Sequence, residues 1–168
     1  MTSSKNASVT SLLKLIHILG YAGLIPFVIP VGLMCAKFWF DFGTANNGSM
    51  VFYAPYLFTS YSAIILSFMA GTLWANWYLV EKQNLAKVAI LVSNLLALTA
   101  FSALLLMYVS VLPQILCVII LGLGFVSLLW VERIIGVQVK AYWRMRLSLT
   151  ILVVILHFLM MIILFMEF

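Results

Sequence analysis

The sequence predicts an all-α polytopic membrane protein, a bundle of five transmembrane helices with the N-terminus in the cytoplasm and the C-terminus outside. Three observations predict it. Of 168 residues, 66% are hydrophobic and 8% charged, and the mean hydropathy is +1.23, so there are too few charges to keep the chain soluble. Five apolar stretches, 12–36, 57–79, 86–107, 112–131 and 147–166, are each long enough to cross about 30 Å of hydrocarbon, which takes roughly 20 residues at about 1.5 Å per residue. Threading these stretches through a bilayer in turn leaves every Lys and Arg except Lys37 on one side, and in loops this short that side is the cytoplasm.

In the first stretch an apolar run follows Lys5 and Lys14 and is interrupted by Pro26 and Pro30. Each proline removes a backbone donor, so this helix is expected to bend near its middle, with neighbours satisfying the freed carbonyls. It is too long for the apolar core of a secretion signal and no small-x-small cleavage pattern follows, so it is read as a retained span. The longest polar insertion, 41–49, comes next, with Gly43, Asn46, Asn47 and Gly48 as helix breakers. In the second stretch Thr59, Ala63, Ser67, Gly71 and Ala75 recur every fourth residue. Small residues at that spacing let another helix approach closely, so a packing seam is expected there. Its partner is the third stretch, through Ala89, Ser93 and Ala97, or another subunit.

Lys82 and Lys87 separate the second stretch from the third, and Arg133, Lys140, Arg144 and Arg146 lie between the fourth and the fifth. Arg144 and Arg146 lead straight into the fifth stretch, where they either anchor the topology or grip a phosphate or an acidic partner with their forked guanidinium groups. Almost nothing remains outside the spans and there is no internal repeat, so 1–168 reads as a single transmembrane helical domain.

Polar side chains within the spans are few, and such groups tend to face a bundle interior. At about 1.5 Å per residue, His17 lies roughly 7 Å from the cytoplasmic edge, Asn76 about 5 Å, Asn94 about 11 Å and His157 about 15 Å. Two readings follow. One is an aromatic belt, with Trp74, Trp77, Trp130 and Trp143 on the cytoplasmic side, plus scattered interhelical hydrogen bonds. The other is a cytoplasm-facing polar cavity lined by His17, Asn76, Asn94 and His157, with Arg144 and Arg146 at its mouth.

No catalytic, metal or nucleotide motif is legible. The two histidines differ in depth by roughly 8 Å, which argues against a haem held by both, since two axial nitrogens must meet at one iron. There is no His/Glu cluster at ligand spacing and no base at a readable spacing from Ser67 or Ser102, so no metal site, catalytic residue or cofactor is expected. Cys35 and Cys117 both fall toward the outer face, where they are free thiols or, in an oxidising compartment, a disulfide. The pI of about 9.4 reflects basic loop edges that meet anionic headgroups, and no nucleic-acid partner is expected.

Three runs also carry a resemblance. These are Leu19 to Phe27, Tyr61 to Trp74, and Tyr142 to Thr150. In this order they resemble the domain-of-unknown-function 3429 family, to which transmembrane protein 69 of mitochondria belongs. The chain departs from that pattern at Ala70 and Ala75, where the family usually has glycine. The resemblance implies a compact multi-helix protein of bacterial inner or mitochondrial membranes and transfers no activity. The absence of an Arg- and Ser-rich presequence points to a bacterial inner membrane. The expected role is a non-enzymatic accessory or assembly protein that packs through the second span against a larger membrane complex or its own copies, surrounded by membrane lipid. The alternative is a binder or carrier of a small amphipathic ligand in the cytoplasm-facing cavity.

Overall fold

The computed structural model describes residues 14–40, 48–107, 109, 111–136 and 140–167. Lys5, the first two residues of the stretch 12–36 and residues 41–47 of the polar insertion 41–49 lie outside the described residues. Within them the chain forms α1 (residues 14–22), α2 (Ile25–Phe40), α3 (Gly48–Ala75), a single 3-10 turn (Trp77–Leu79), α4 (Gln83–Leu106), α5 (Val111–Ile135) and α6 (Lys140–Glu167). α1 and α2 together make one span, so the described residues contain five helical spans long and apolar enough to cross a membrane. No strand occurs among the described residues. Two helices begin well before the apolar stretches that mark them. α3 starts at Gly48 and tolerates Pro55 inside it, and α6 starts at Lys140. Hydropathy locates where the apolar run begins, and a helix can start in the polar residues ahead of it.

The break between α1 and α2 falls at Gly23–Leu24, one turn ahead of Pro26. A proline ring clashes with the carbonyl four residues earlier, so the disruption sits on its N-terminal side. The Phe27 amide bonds to the Leu24 carbonyl at 3.0 Å, one residue short of the α-helical partner, and this frees the carbonyl of Gly23. The Tyr61 hydroxyl on α3 donates to that carbonyl at 3.0 Å, so the neighbouring span satisfies the break.

α3 is the central helix and packs against α2, α4 and α5; α6 packs against α5 and α2. The α3–α4 seam alternates steps of three and four. On α4 the buried residues are Ala86, Ala89, Ser93, Leu96, Ala100 and Ala103, and on α3 the buried run Thr59, Ala63, Leu66, Ala70 and Leu73 has the same spacing, with Leu66 also meeting Gly124 of α5. Ser93 Oγ donates to the Ala70 carbonyl at 2.8 Å across it. Ser67 is half-buried, while Gly71 and Ala75 are exposed, and a side chain added at Gly71 would meet nothing within 4 Å. The reason is geometric. A strict four-residue repeat drifts about 40° per step on a helix of 3.6 residues per turn, so Ala75 lies about 160° around from Thr59.

The core is aromatic at its centre, where Phe27, Phe58 and Phe125 are all buried and their rings pack edge-on. Large apolar side chains such as Phe68, Leu91, Leu95, Trp130 and Phe165 point outward. In water they would form one continuous hydrophobic surface, whereas around a membrane bundle they face lipid. Lys37 Nζ meets Glu167 Oε1 at 2.8 Å and ties the C-terminal ends of α2 and α6 together. Both cysteines are free, with Cys117 buried and its thiol donating to the Ala103 carbonyl at 3.3 Å.

A candidate ligand site at the basic end of the bundle

The helices alternate in direction, so Lys14, Lys82, Lys87, Arg133, Arg144 and Arg146 gather at the end opposite Lys37. At this basic end α5 stops at Gly136, whose φ of +68° is the left-handed conformation that glycine adopts without a Cβ penalty. The Gly136 amide closes the helix onto the Glu132 carbonyl at 3.2 Å. α6 then returns alongside α5, and Arg146 in its second turn reaches Glu132 in the last turn of α5. Arg146 Nε and Glu132 Oε2 are 2.9 Å apart, with side chains only 6% and 1% exposed. Arg144 is exposed. Residues two apart on a helix point about 200° away from each other, so once α6 extends back to Lys140 only one of the two arginines can face the bundle.

Beside this ion pair lies a cavity of about 250 Å³ between α1, α2, α3, α5 and α6. Two glycines open its α1 wall: a Cβ at Gly20 would press on Leu149 Cδ1 at 3.1 Å, and Gly23 is the residue of the helix break. Most of the lining is apolar, contributed by residues such as Leu24, Met69 and Val153. Arg146 and Thr150, buried one turn apart on α6, are the polar exceptions together with the half-buried Tyr142. Among the described residues Arg146 Nη2 and Thr150 Oγ1, whose side chains line the cavity, have no hydrogen-bond partner, and neither do Glu132 Oε1 and Gln114 Nε2, whose side chains do not line it. Leu19 and Phe68 line the same cavity while remaining 61% and 70% exposed, which puts its mouth on the outer wall of the bundle, where hydrocarbon lies.

Of the six side chains that sequence groups into a cavity, only Arg146 lines this one. His157 sits at mid-bundle, because α6 begins seven residues before the apolar stretch 147–166 and the ring is about 25 Å along it. His157 Nε2 is 2.7 Å from Ser62 Oγ, and Nδ1 is 2.8 Å from the Val153 carbonyl. Phe27 and Phe125, whose rings lie 5.9 and 5.5 Å from the imidazole, separate it from the cavity. Asn94 is exposed on α4 and donates to the Ile90 carbonyl of its own helix at 2.9 Å. Asn76 is half-buried where α3 passes into the 3-10 turn, and His17 is half-buried on α1.

The Ser62–His157 contact has the spacing of a nucleophile and its base, but Ser62 is fully buried. A carbonyl only accepts, so Nδ1 donates to Val153, and a neutral ring then accepts the Ser62 proton at Nε2. The pair acts as a hydrogen-bonded tie between α3 and α6. Among the described residues no three His, Cys, Asp or Glu side chains group as metal ligands.

Glu132 and Thr150 escape the sequence reading, although Glu132 leaves a signal. It is one of four acids in the chain and directly follows an apolar run of twenty residues, where a carboxylate needs a cation in reach. Thr150 leaves none, since threonines are common in membrane helices and usually bond their own backbone.

Fold and site together define a class: a five-span helical membrane protein with a laterally open apolar cavity that ends on a buried ion pair. The chain matches the family described as proteins of unknown function (DUF3429) over residues 13–162 and belongs to that family. No curated protein and no solved structure matches it.

Proposed function

We propose that this protein binds or carries a small amphipathic molecule in the cavity at the basic end, and does no chemistry on it. The observation that carries this reading is the pair of buried donors, Arg146 Nη2 and Thr150 Oγ1, at the polar end of an otherwise apolar cavity. A buried donor without a partner costs about 1–3 kcal/mol, and a polar head seated there removes that cost while an apolar body covers the remaining wall. The positive-inside rule supports a cytoplasmic basic end and so a site in the inner leaflet; a bacterial inner membrane is part of the same proposal.

The test is purification from native membranes in mild detergent, followed by organic extraction and mass spectrometry of wild type and Val153→Phe. Val153 is buried in the cavity wall, so phenylalanine there fills space the ligand needs. One amphipathic compound should be retained near stoichiometry by wild type and lost from the variant. Leu24→Phe fills the cavity from the break between α1 and α2 and serves if Val153→Phe does not fold. Equal retention of bulk lipid by all three proteins would overturn the reading.

A second reading, an accessory protein packing through the second span, draws on the exposed Gly71 and Ala75, which no other part of the described chain covers. It requires a membrane protein or a second copy to co-purify in mild detergent, and that contact to be lost in Gly71→Leu.

A further inference from the structure

The site's charge and size narrow the ligand. Arg146 and Glu132 form a one-to-one ion pair buried from solvent. Adding an anion to Arg146 would leave two negative groups sharing one guanidinium, and an uncompensated buried charge is strongly unfavourable. An uncharged acceptor on the Nη2 protons avoids this. The unpartnered groups of Arg146 and Thr150 can both donate and lie one helical turn apart on the same face, the separation at which two side chains reach a common neighbour. A carbonyl oxygen has two lone pairs to accept both.

Size points the same way. A cavity of about 250 Å³ is somewhat larger than the roughly 150 Å³ void that holds one benzene ring, and smaller than the usual range for drug-sized ligands. It holds a ring or a short acyl segment, and anything longer lies outside it. The exposed Leu19 and Phe68 at its mouth let a longer chain trail into the bilayer.

Resting on the proposed binding role, we infer that the ligand is an uncharged carbonyl-headed membrane molecule. Its carbonyl oxygen accepts from Arg146 Nη2 and Thr150 Oγ1, and its apolar chain leaves sideways between Leu19 and Phe68. An alkyl benzoquinone and a monoacylglycerol share this chemistry.

The test is equilibrium binding to the full chain in lipid nanodiscs with four probes: a decyl benzoquinone, monodecanoylglycerol, decanoate and dodecyl phosphate. One or both neutral probes should bind, and whichever binds more tightly identifies the source of the carbonyl. Thr150→Val keeps the side-chain shape and removes the hydroxyl. It should weaken that probe about three- to tenfold, the worth of one neutral hydrogen bond. The same variant should raise the melting temperature of the unliganded protein, because it removes a buried hydroxyl without a partner. Tighter binding of decanoate or dodecyl phosphate would overturn the carbonyl head while leaving the binding role intact. Binding of a neutral probe unchanged by Thr150→Val but abolished by Val153→Phe would overturn the placement of the head. If no probe binds while Val153→Phe still loses a co-purified compound, the ligand class is overturned and the binding role stands. If no probe binds and that variant also loses nothing, both fall.

Discussion

Ser62 on α3 and His157 on α6 are joined by a 2.7 Å hydrogen bond at the centre of the bundle, 95 residues apart in the chain. Phe27, Phe58 and Phe125 surround the imidazole, and the Val153 carbonyl fixes its other nitrogen. The bond links the second span to the fifth independently of the cavity at the basic end. Ser62→Ala should lower stability in detergent by about 1 kcal/mol, the usual size of an interhelical hydrogen bond in a membrane bundle. His157→Ala also removes the ring's packing and should cost about 2–4 kcal/mol. Thermal melts of the two variants indistinguishable from wild type would show that the tie contributes nothing.

Glu132→Gln should be the more damaging change at the basic end. It leaves the Arg146 guanidinium buried beside a neutral amide, and breaking a buried pair from one side costs about 3–5 kcal/mol. Glu132→Gln combined with Arg146→Met should recover most of that loss, since no uncompensated charge remains. A double variant as unstable as the single one would mean that Arg146 is not held in place by Glu132.

The glycines separate by neighbourhood. A Cβ at Gly124 would sit 2.6 Å from Leu66 Cδ2, in a core where Leu66 is fully buried, whereas Gly71 has open space. Gly124→Leu should therefore cost about 1–3 kcal/mol by overpacking, and Gly71→Leu should leave the monomer's melting temperature unchanged. The reverse order, read by thermal melts, would contradict the packing of α3.

The Lys/Arg skew predicts that the basic end is cytoplasmic. A phosphatase fused after Phe168 should be active only if it has been exported, and in this protein it should be active. A fluorescent reporter that matures only in the cytoplasm should stay dark at the same position. The opposite pair of signals would invert the bundle in the membrane.

Much of the fold is legible because a membrane span declares itself by length and hydropathy alone. Pro26 likewise announces the break in the first span, since a missing amide proton is a property of the residue itself, whereas α2 runs on through Pro30. Rotation about each helix axis is not legible in this way. The every-fourth-residue run on the second span looks like one face, yet the 3.6-residue turn carries Gly71 and Ala75 away from the seam that Thr59 and Ala63 begin. The site depends on rotation throughout. Arg144 and Arg146 point opposite ways because α6 starts at Lys140, a boundary that hydropathy places later, and the rotation of α6 turns Arg146 inward. Depth alone groups His17, Asn76, Asn94 and His157, and their azimuths separate them.

The central claim is that a ligand lies in the cavity with its head on Arg146 and Thr150. The most direct measurement is an electron cryo-microscopy map of the protein taken from native membranes without a delipidating step. The account predicts elongated density that passes between Leu19 and Phe68 and ends within hydrogen-bond distance of Arg146 Nη2 and Thr150 Oγ1. A cavity closed by its own side chains, with Arg146 Nη2 satisfied from within the protein, would contradict it.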